Sequence, residues 1–399
     1  MKYRFVLHDP IPLQNIEDYR RAARRKLPEM IWAFVESAAS DRISYTENAE
    51  AFAQWRLRQR VLAGLTAPQL ATTMAGVEVS LPVALAPTGL NGLCHWQGDV
   101  AVARAAEAAG TRLALSTGSS YTLEEVADAT EHHHWFQLYP FGDKEYVAKL
   151  LGRVAAAGYT ALFVCVDVPV LGNREGERRA GLTVPPTLTP GRILDAVQHP
   201  RWLFNMLRHG RTVPVNYPSA SPGAAAASKT VASTPPRSMQ ADLNWQDMQW
   251  IREQWKGPLY IKGIMDAEDA VIAIDRIGAD GIVISNHGGR QLDRVPATLN
   301  VLPSIVEKIG GRGEIYLDGG VRRGEDVVIA LCLGAQGVFI GRPYLYGLAA
   351  AGERGVLDVL SIFRADIKRT LVMMGCPSVQ ELNPSWLIGT DSHRAATMQ

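Results

Sequence analysis

The chain has 399 residues, 47% of them hydrophobic, with 41 Lys and Arg against 40 Asp and Glu. That apolar fraction supplies a sizeable core, and a net charge of +1 excludes a broadly basic surface for nucleic acid. Cys94, Cys165, Cys332 and Cys376 stand apart without CxxC spacing, so neither a disulfide framework nor a metal site is expected.

The opening MKYRFVLHDPIPLQ lacks the apolar core of a signal peptide, and no run reaches the ~18 apolar residues of a membrane span. These features predict a cytoplasmic protein, with peripheral attachment to the inner face of a membrane left open. IEDYRRAARRKLPEMIWAFVESAAS (16–40) reads as helices laid against a larger body, with RRAARRK (20–26) as a solvated face.

From residue 83 short apolar runs recur: VALAPT (83–88), LALSTG (113–118), HWFQLY (134–139), ALFVCVDV (161–168), LYIKG (259–263), GIVISN (281–286), EIYLDG (314–319) and GVFIGR (337–342). Helix-length segments such as EDAVIAIDRIGAD (268–280) lie between them, several closed by a Gly. Eight buried strands alternating with helices predict an α/β fold, a single (β/α)8 TIM barrel over 1–399. No GxGxxG opens the first βα unit, which disfavours a dinucleotide-binding sheet.

The histidine run His132–His134 precedes the third strand, at the end of the barrel away from the strand C-termini. Adjacent strand residues point apart, so a solvated surface is expected rather than a metal site. A long insertion, 172–244, separates the fourth and fifth strands. Its stretch 191–213 sets Arg192, Arg201, Arg208 and Arg211 beside Trp202, Leu203, Phe204, Met206 and Leu207. That composition suits a membrane interface, or an amphipathic lid on its own barrel. PSASPGAAAASKTVASTPPRS (218–238) is low-complexity and expected to be mobile. Trp245, Met248 and Trp250 read as packing.

Every strand ends in a polar residue: Thr88, Ser116, Tyr139, Asp167, Lys262, Asn286 with His287, Asp318 and Arg342. In a β/α barrel these positions form the rim on which active sites are built. SNHGGRQLD (285–293) places His287 over the mouth, with Arg290 three residues on. Arg can grip a carboxylate bidentately while His takes a proton, so the pair suits a carboxylic acid that is deprotonated. DGGVRRG (318–324) and the GR at 341–342 follow the last two strands, where barrels bind phosphate through loop N–H groups. A nucleotide-like cofactor follows.

Together, SNHGGRQLD, LDGGVRRG and FIGRP resemble the FMN-dependent L-2-hydroxy-acid oxidases and dehydrogenases, over nearly the whole chain from KLPEM (26–30) to GCP (375–377). PTGLNG (87–92), WFQLY (135–139), QHPRW (198–202) and GLAAAGERGV (347–356) are most similar to the (S)-mandelate dehydrogenase branch. The resemblance implies FMN as cofactor, a small 2-hydroxy-acid substrate of aromatic, mandelate-like type, a membrane quinone as acceptor, and a homotetramer. Oxygen reduced to hydrogen peroxide is the alternative acceptor, and a non-redox FMN isomerase the alternative chemistry. It further implies His287 as base, supported by Asp167, and Arg290, Arg174 and Tyr139 as substrate ligands. Pro87, Thr88, Gly89, Ser116, Gln137, Cys165, Lys262 and Ser285 would meet the flavin ring and ribityl chain. Asp318, Gly319, Gly320, Arg322, Gly341 and Arg342 would complete the ribityl and phosphate site. Two positions depart from the family pattern. Phe34 stands where a carboxylate-binding Tyr is usual, and Cys165 where Thr is usual.

Overall fold

In the computed structural model, which describes residues 13–141, 143–183, 186–217 and 242–389, the eight predicted strands pair in parallel. The low-complexity stretch 218–238 and the first twelve residues lie outside the described residues.

Helix α1 (Ile16–Lys26) starts where Asn15 accepts from the Asp18 N–H. Glu17 and Asp18 sit in its first turn and Arg24, Arg25 and Lys26 in its last, matching the helix dipole. It buries Ile16, Tyr19, Ala22 and Ala23 and exposes most of its basic face, as expected. Helices α2 (Glu29–Val35) and α3 (Ile43–Glu50) follow. A hairpin, Thr72–Met74 with Val77–Val79, plugs the barrel floor, where Met74 packs so tightly that a Cβ at Gly337 would lie 2.5 Å from its methyl carbon.

The barrel proper begins with β1 (Val83–Leu85), α4 (Gly98–Ala108), β2 (Ala114–Ser116), α5 (Leu123–Ala127), β3 (Trp135–Leu138), α6 (Lys144–Ala156) and β4 (Leu162–Cys165). Among the described residues the long insertion then forms α7 (Glu175–Arg179), α8 (Pro190–Val197) and α9 (Pro200–His209), before α10 (Trp245–Gln254). The chain returns through β5 (Leu259–Ile264), α11 (Ala267–Val271, continued by a π turn to Arg276), β6 (Gly281–Ile284), α12 (Thr298–Ile309), β7 (Glu314–Asp318), α13 (Gly324–Cys332), β8 (Gly337–Ile340) and α14 (Arg342–Met374). A parallel bridge between Leu85 and Leu113 closes β1 onto β2 and removes the sheet's open edges.

The strand period of two builds the site. Outward residues such as Phe136, Leu162, Val164, Ile261 and Ile282 join the helices in one apolar core. Inward residues form a second cluster that includes Ala114, Trp135, Phe163, Tyr260, Val283, Tyr316 and Phe339. Its rings interlock: Phe163 stacks on Tyr260 at 4.8 Å and meets Phe339 edge-on at 5.3 Å. Two residues further along the same strands, on the same face, stand Ser116, Gln137, Cys165, Lys262, Ser285, Asp318 and Gly341. An aromatic floor therefore carries a polar layer at the C-terminal mouth.

Two expectations need correction. His134 is buried, not solvated: it directly precedes β3, and its Nδ1 accepts from the Leu113 N–H at 3.3 Å. His132 and His133 are exposed as expected. Within 191–213, Trp202 turns inward and donates to the Leu93 carbonyl at 2.7 Å, while Phe204 and Leu207 remain outside. Met248 is core, and Trp245 and Trp250 pack against it, as read from the sequence.

Candidate active site

A cavity of about 610 Å³ opens at the C-terminal mouth, inside the ordinary range for small-molecule sites. His287 stands over it in a left-handed conformation (φ 57°), rare for a residue with a Cβ. The strain is held by its own N–H donating to Ser285 Oγ at 3.1 Å, and by Asn286, whose amide pairs reciprocally with Asn48 at 2.8 and 2.9 Å.

His287 Nδ1 lies 3.0 Å from Asp167 Oδ1. Because the carboxylate accepts there, Nδ1 carries the hydrogen and Nε2 faces the cavity as an acceptor, 3.4 Å from the Tyr139 hydroxyl. Burial lowers the imidazole pKa below its ordinary value, against the opposing pull of Asp167, so the ring is a neutral base at pH 7. Burial also acts to raise the pKa of Asp167, but His287 in its protonated form and the charge of Lys262 outweigh it and hold the carboxyl well below the usual range.

Lys262 Nζ donates to Ser285 Oγ at 2.7 Å and pairs with Asp318 Oδ2 at 2.9 Å. Desolvation opposes its charge, but Asp318 and Asp167 more than offset that and keep it protonated. Cys165 Sγ sits 2.8 Å from Asp167 Oδ1, so it is turned toward the same carboxylate that meets His287.

Arg290 and Arg174 converge from different loops. Arg290 donates to the Phe34 carbonyl at 2.8 Å and to Glu177 at 3.1 Å, with its guanidinium 5.2 Å from the centre of the Phe34 ring. Arg174 donates to the Arg290 carbonyl at 3.2 Å and to Gln291 at 2.7 Å. Burial and the neighbouring Arg174 depress the Arg290 pKa to about 9, as expected of two crowded cations.

Sequence reasoning missed Glu177 and Gln291. Glu177 holds Arg290 from the short helix α7. Gln291 accepts from Arg174 and donates to the Asp167 and Val170 carbonyls at 3.1 and 2.8 Å, which locks the β4 and β6 loops together. A Gln next to the Arg of SNHGGRQLD was the available signal.

Pro87, Thr88 and Gly89 line one wall of the cavity, and Asp318, Gly319, Gly320, Arg322, Gly341 and Arg342 another. Ser116, Gln137, Cys165 and Ser285 lie just behind. At Gly320 (φ 80°) an added Cβ would lie 1.9 Å from the Asn48 carbonyl, so the turn admits only glycine. Arg342 faces the cavity, yet its nitrogens donate to the carbonyls of Val35 (3.2 Å), Gly288 (3.0 Å) and Ser37 (2.5 Å). It ties the N-terminal segment to the β6 loop. Arg322 gives one bond to its neighbour Val321 and directs the rest of its guanidinium toward the cavity.

The donor set fits a flavin nucleotide. Among the described residues Gln137 Nε2 and Asp318 Oδ1 are buried without hydrogen-bond partners, one donor and one acceptor beside the cavity. Lys262 supplies a fixed cation beside them, and Arg322 with the glycine turns supplies an anion cradle.

The fold and site are those of the FMN-dependent dehydrogenases: that family's model matches residues 23–389, and the chain belongs to the family. An (S)-mandelate dehydrogenase from Pseudomonas putida is 39% identical over 375 residues, 94% of each chain. An L-lactate dehydrogenase from Caulobacter sp. is 40% identical over 379 residues, covering 95% of this chain and 99% of the relative. Among solved structures, a monotopic membrane protein (S)-mandelate dehydrogenase superposes with a TM-score of 0.88 at 38% identity, over 95% of this chain and all of the other.

Proposed function

We propose that this protein oxidises an L-2-hydroxy acid with an aromatic side chain to the 2-oxo acid and delivers the electrons to a membrane quinone. The observation that carries the reading is the convergence of the His287–Asp167 pair with Arg290 and Arg174 on one cavity. The two guanidiniums take the substrate carboxylate and displace Glu177 from Arg290. Tyr139 bonds the hydroxyl or a carboxylate oxygen. His287 Nε2 accepts one proton, and Asp167, 3.0 Å from Nδ1, stabilises the imidazolium that results. FMN, when bound, would supply the two-electron oxidant that this deprotonation requires. Gln137, Ser116, Lys262, Ser285, Asp318 and Arg322 would hold it, and Lys262 would stabilise negative charge nearby.

The aromatic preference rests on the remaining walls. Phe34, Phe141, Leu182, Tyr217 and Leu345 are apolar or aromatic side chains lining the same cavity. Phe34 in place of a Tyr makes that space more apolar still. A relative named for mandelate supports the same choice.

The quinone and membrane reading rests on α8 and α9. Ile193, Leu194, Val197, Phe204 and Leu207 are all more than half exposed, on helices anchored from beneath by Trp202 and by Asp195, which accepts from the Glu29 N–H at 2.7 Å. Among the described residues no helix is long and apolar enough to cross a membrane. A monotopic relative fits such a surface. The charge contribution is smaller than the sequence suggests. Arg211 is ion-paired with Glu125, while Arg192, though held by the Thr187 and Arg179 carbonyls, keeps its charge alongside Arg201 and Arg208.

Anaerobic titration with (S)-mandelate, L-lactate and glycolate, followed by flavin absorbance, tests the chemistry. Mandelate should bleach the flavin at the lowest concentration. Preferred reduction by glycolate would remove the aromatic assignment, and hydrogen peroxide released at the steady-state rate in air would replace the quinone by oxygen.

A further inference from the structure

A second cavity, about 410 Å³, lies away from the mouth, between the end of α1, the 92–96 loop, α9 and the break in α14 at Ala351 and Gly352. Arg25, Lys26 and Arg201 line it, and no Asp or Glu does. Arg25 and Arg201 make no hydrogen bond or ion pair among the described residues, and Lys26 reaches only the Ala350 carbonyl. Three cations are thus gathered around a void that no Asp or Glu lines among the described residues. Burial, together with the charge of Arg201, lowers the Lys26 pKa, which a bound anion would relieve.

Helix α9 divides its faces sharply. Arg201, Trp202, Asn205 and Met206 face the cavity, at helical i, i+1, i+4, i+5 spacing, while Phe204 and Leu207 are 61% and 78% exposed on the other side. Ile193, Leu194 and Val197 of α8 extend that outer apolar surface. A ligand that satisfies both faces carries an anionic head and apolar chains.

We propose that this cavity is a headgroup site that takes the phosphate of an anionic phospholipid, held by Arg25, Lys26 and Arg201, with the acyl chains along α8 and α9. The proposal rests on the membrane reading above. It adds a defined lipid site to what would otherwise be a diffuse apolar contact.

The test uses the FMN-loaded full chain and vesicles of phosphatidylcholine alone or mixed with phosphatidylglycerol, read by co-sedimentation. The Arg25→Gln/Lys26→Gln/Arg201→Gln variant is compared with a charge-matched control, Lys256→Gln/Arg276→Gln/Lys368→Gln. Each cation near an anionic surface contributes roughly five-fold, so the first variant should bind the mixed vesicles about 100-fold more weakly. It should bind phosphatidylcholine as the parent does, and keep the parental rate of flavin reduction, which reports its fold. Equal losses in both triple variants would show a diffuse charge effect and overturn the site. Inorganic phosphate titrated against Trp96 and Trp202 fluorescence separates the sources. Saturable quenching without any preference for phosphatidylglycerol would assign the cavity to a soluble phosphate and overturn the lipid. Failure of the parent to bind either vesicle would instead remove the membrane reading itself.

Discussion

Replacing Asp167 by Asn isolates what the carboxylate does for His287. The exchange keeps volume and removes the charge. Both side chains are largely sheltered, at 9% and 16% exposure, so solvent screens their 3.0 Å contact little. A hydrogen bond to a charged group contributes about 1.5–3 kcal/mol, and this one strengthens as His287 takes the proton. Loss of roughly 3 kcal/mol from the transition state slows flavin reduction by about 10²-fold. An Asn amide can also donate to Nδ1, which moves the hydrogen to Nε2 and points the wrong tautomer at the substrate. Substrate Kd should change little, because Arg290 and Arg174 are untouched. The pH profile gives an independent readout. Burial lowers the His287 pKa, and Asp167 is the main group opposing that shift. The parental rate should therefore fall only as the pH drops through a value below 6.5, the ordinary imidazole pKa. The variant's acid limb should move lower still, since Lys262 and Arg174 then act unopposed. Stopped-flow reduction under anaerobic conditions measures both. A variant that reduces its flavin at the parental rate, with the same acid limb, would refute the assigned role of Asp167.

Glu177→Gln should tighten binding of the substrate and of anionic competitive inhibitors by about ten-fold, because a neutral amide competes less for Arg290. Weaker binding in that variant would mean Glu177 positions the arginine rather than competing for it. Phe34→Tyr adds a hydroxyl beside the Arg290 guanidinium and should strengthen small hydroxy-acid binding by roughly 1.5–3 kcal/mol, seen as a lower KM. An unchanged KM would show a pocket rebuilt around the phenyl ring. Phe204→Asp/Leu207→Asp should release the protein from phosphatidylcholine vesicles while leaving flavin reduction intact, since both residues lie outside the catalytic cavity. Retained sedimentation would contradict the assignment of α8 and α9 as the membrane face.

The barrel and its polar rim were legible because strand alternation is local. Once Trp135, Phe163, Tyr260, Tyr316 and Phe339 are placed inward, Gln137, Cys165, Lys262, Asp318 and Gly341 must follow two residues later. The hidden features depend on contacts between distant segments. Glu177 meets Arg290 across 113 residues, and Asn48 meets Asn286 across 238, with no periodic signal marking either. The arginines of 191–213 show the same limit. Composition counts four cations, but only the fold shows that Arg192 and Arg211 are already bonded. His134 was misread because its place before the third strand, at the end away from the site, suggested solvent, whereas a residue entering a barrel strand can be buried when a backbone N–H meets one ring nitrogen.

The central claim is that His287 is the base that starts transfer of electrons from a 2-hydroxy acid to FMN. Its most direct test is single-turnover anaerobic reduction of His287→Ala by (S)-mandelate, beside the parent. Flavin should remain bound, since Gln137, Lys262, Asp318 and Arg322 are intact, and the reduction rate should fall by at least ~10²-fold. Reduction at near the parental rate with flavin fully bound would contradict the account.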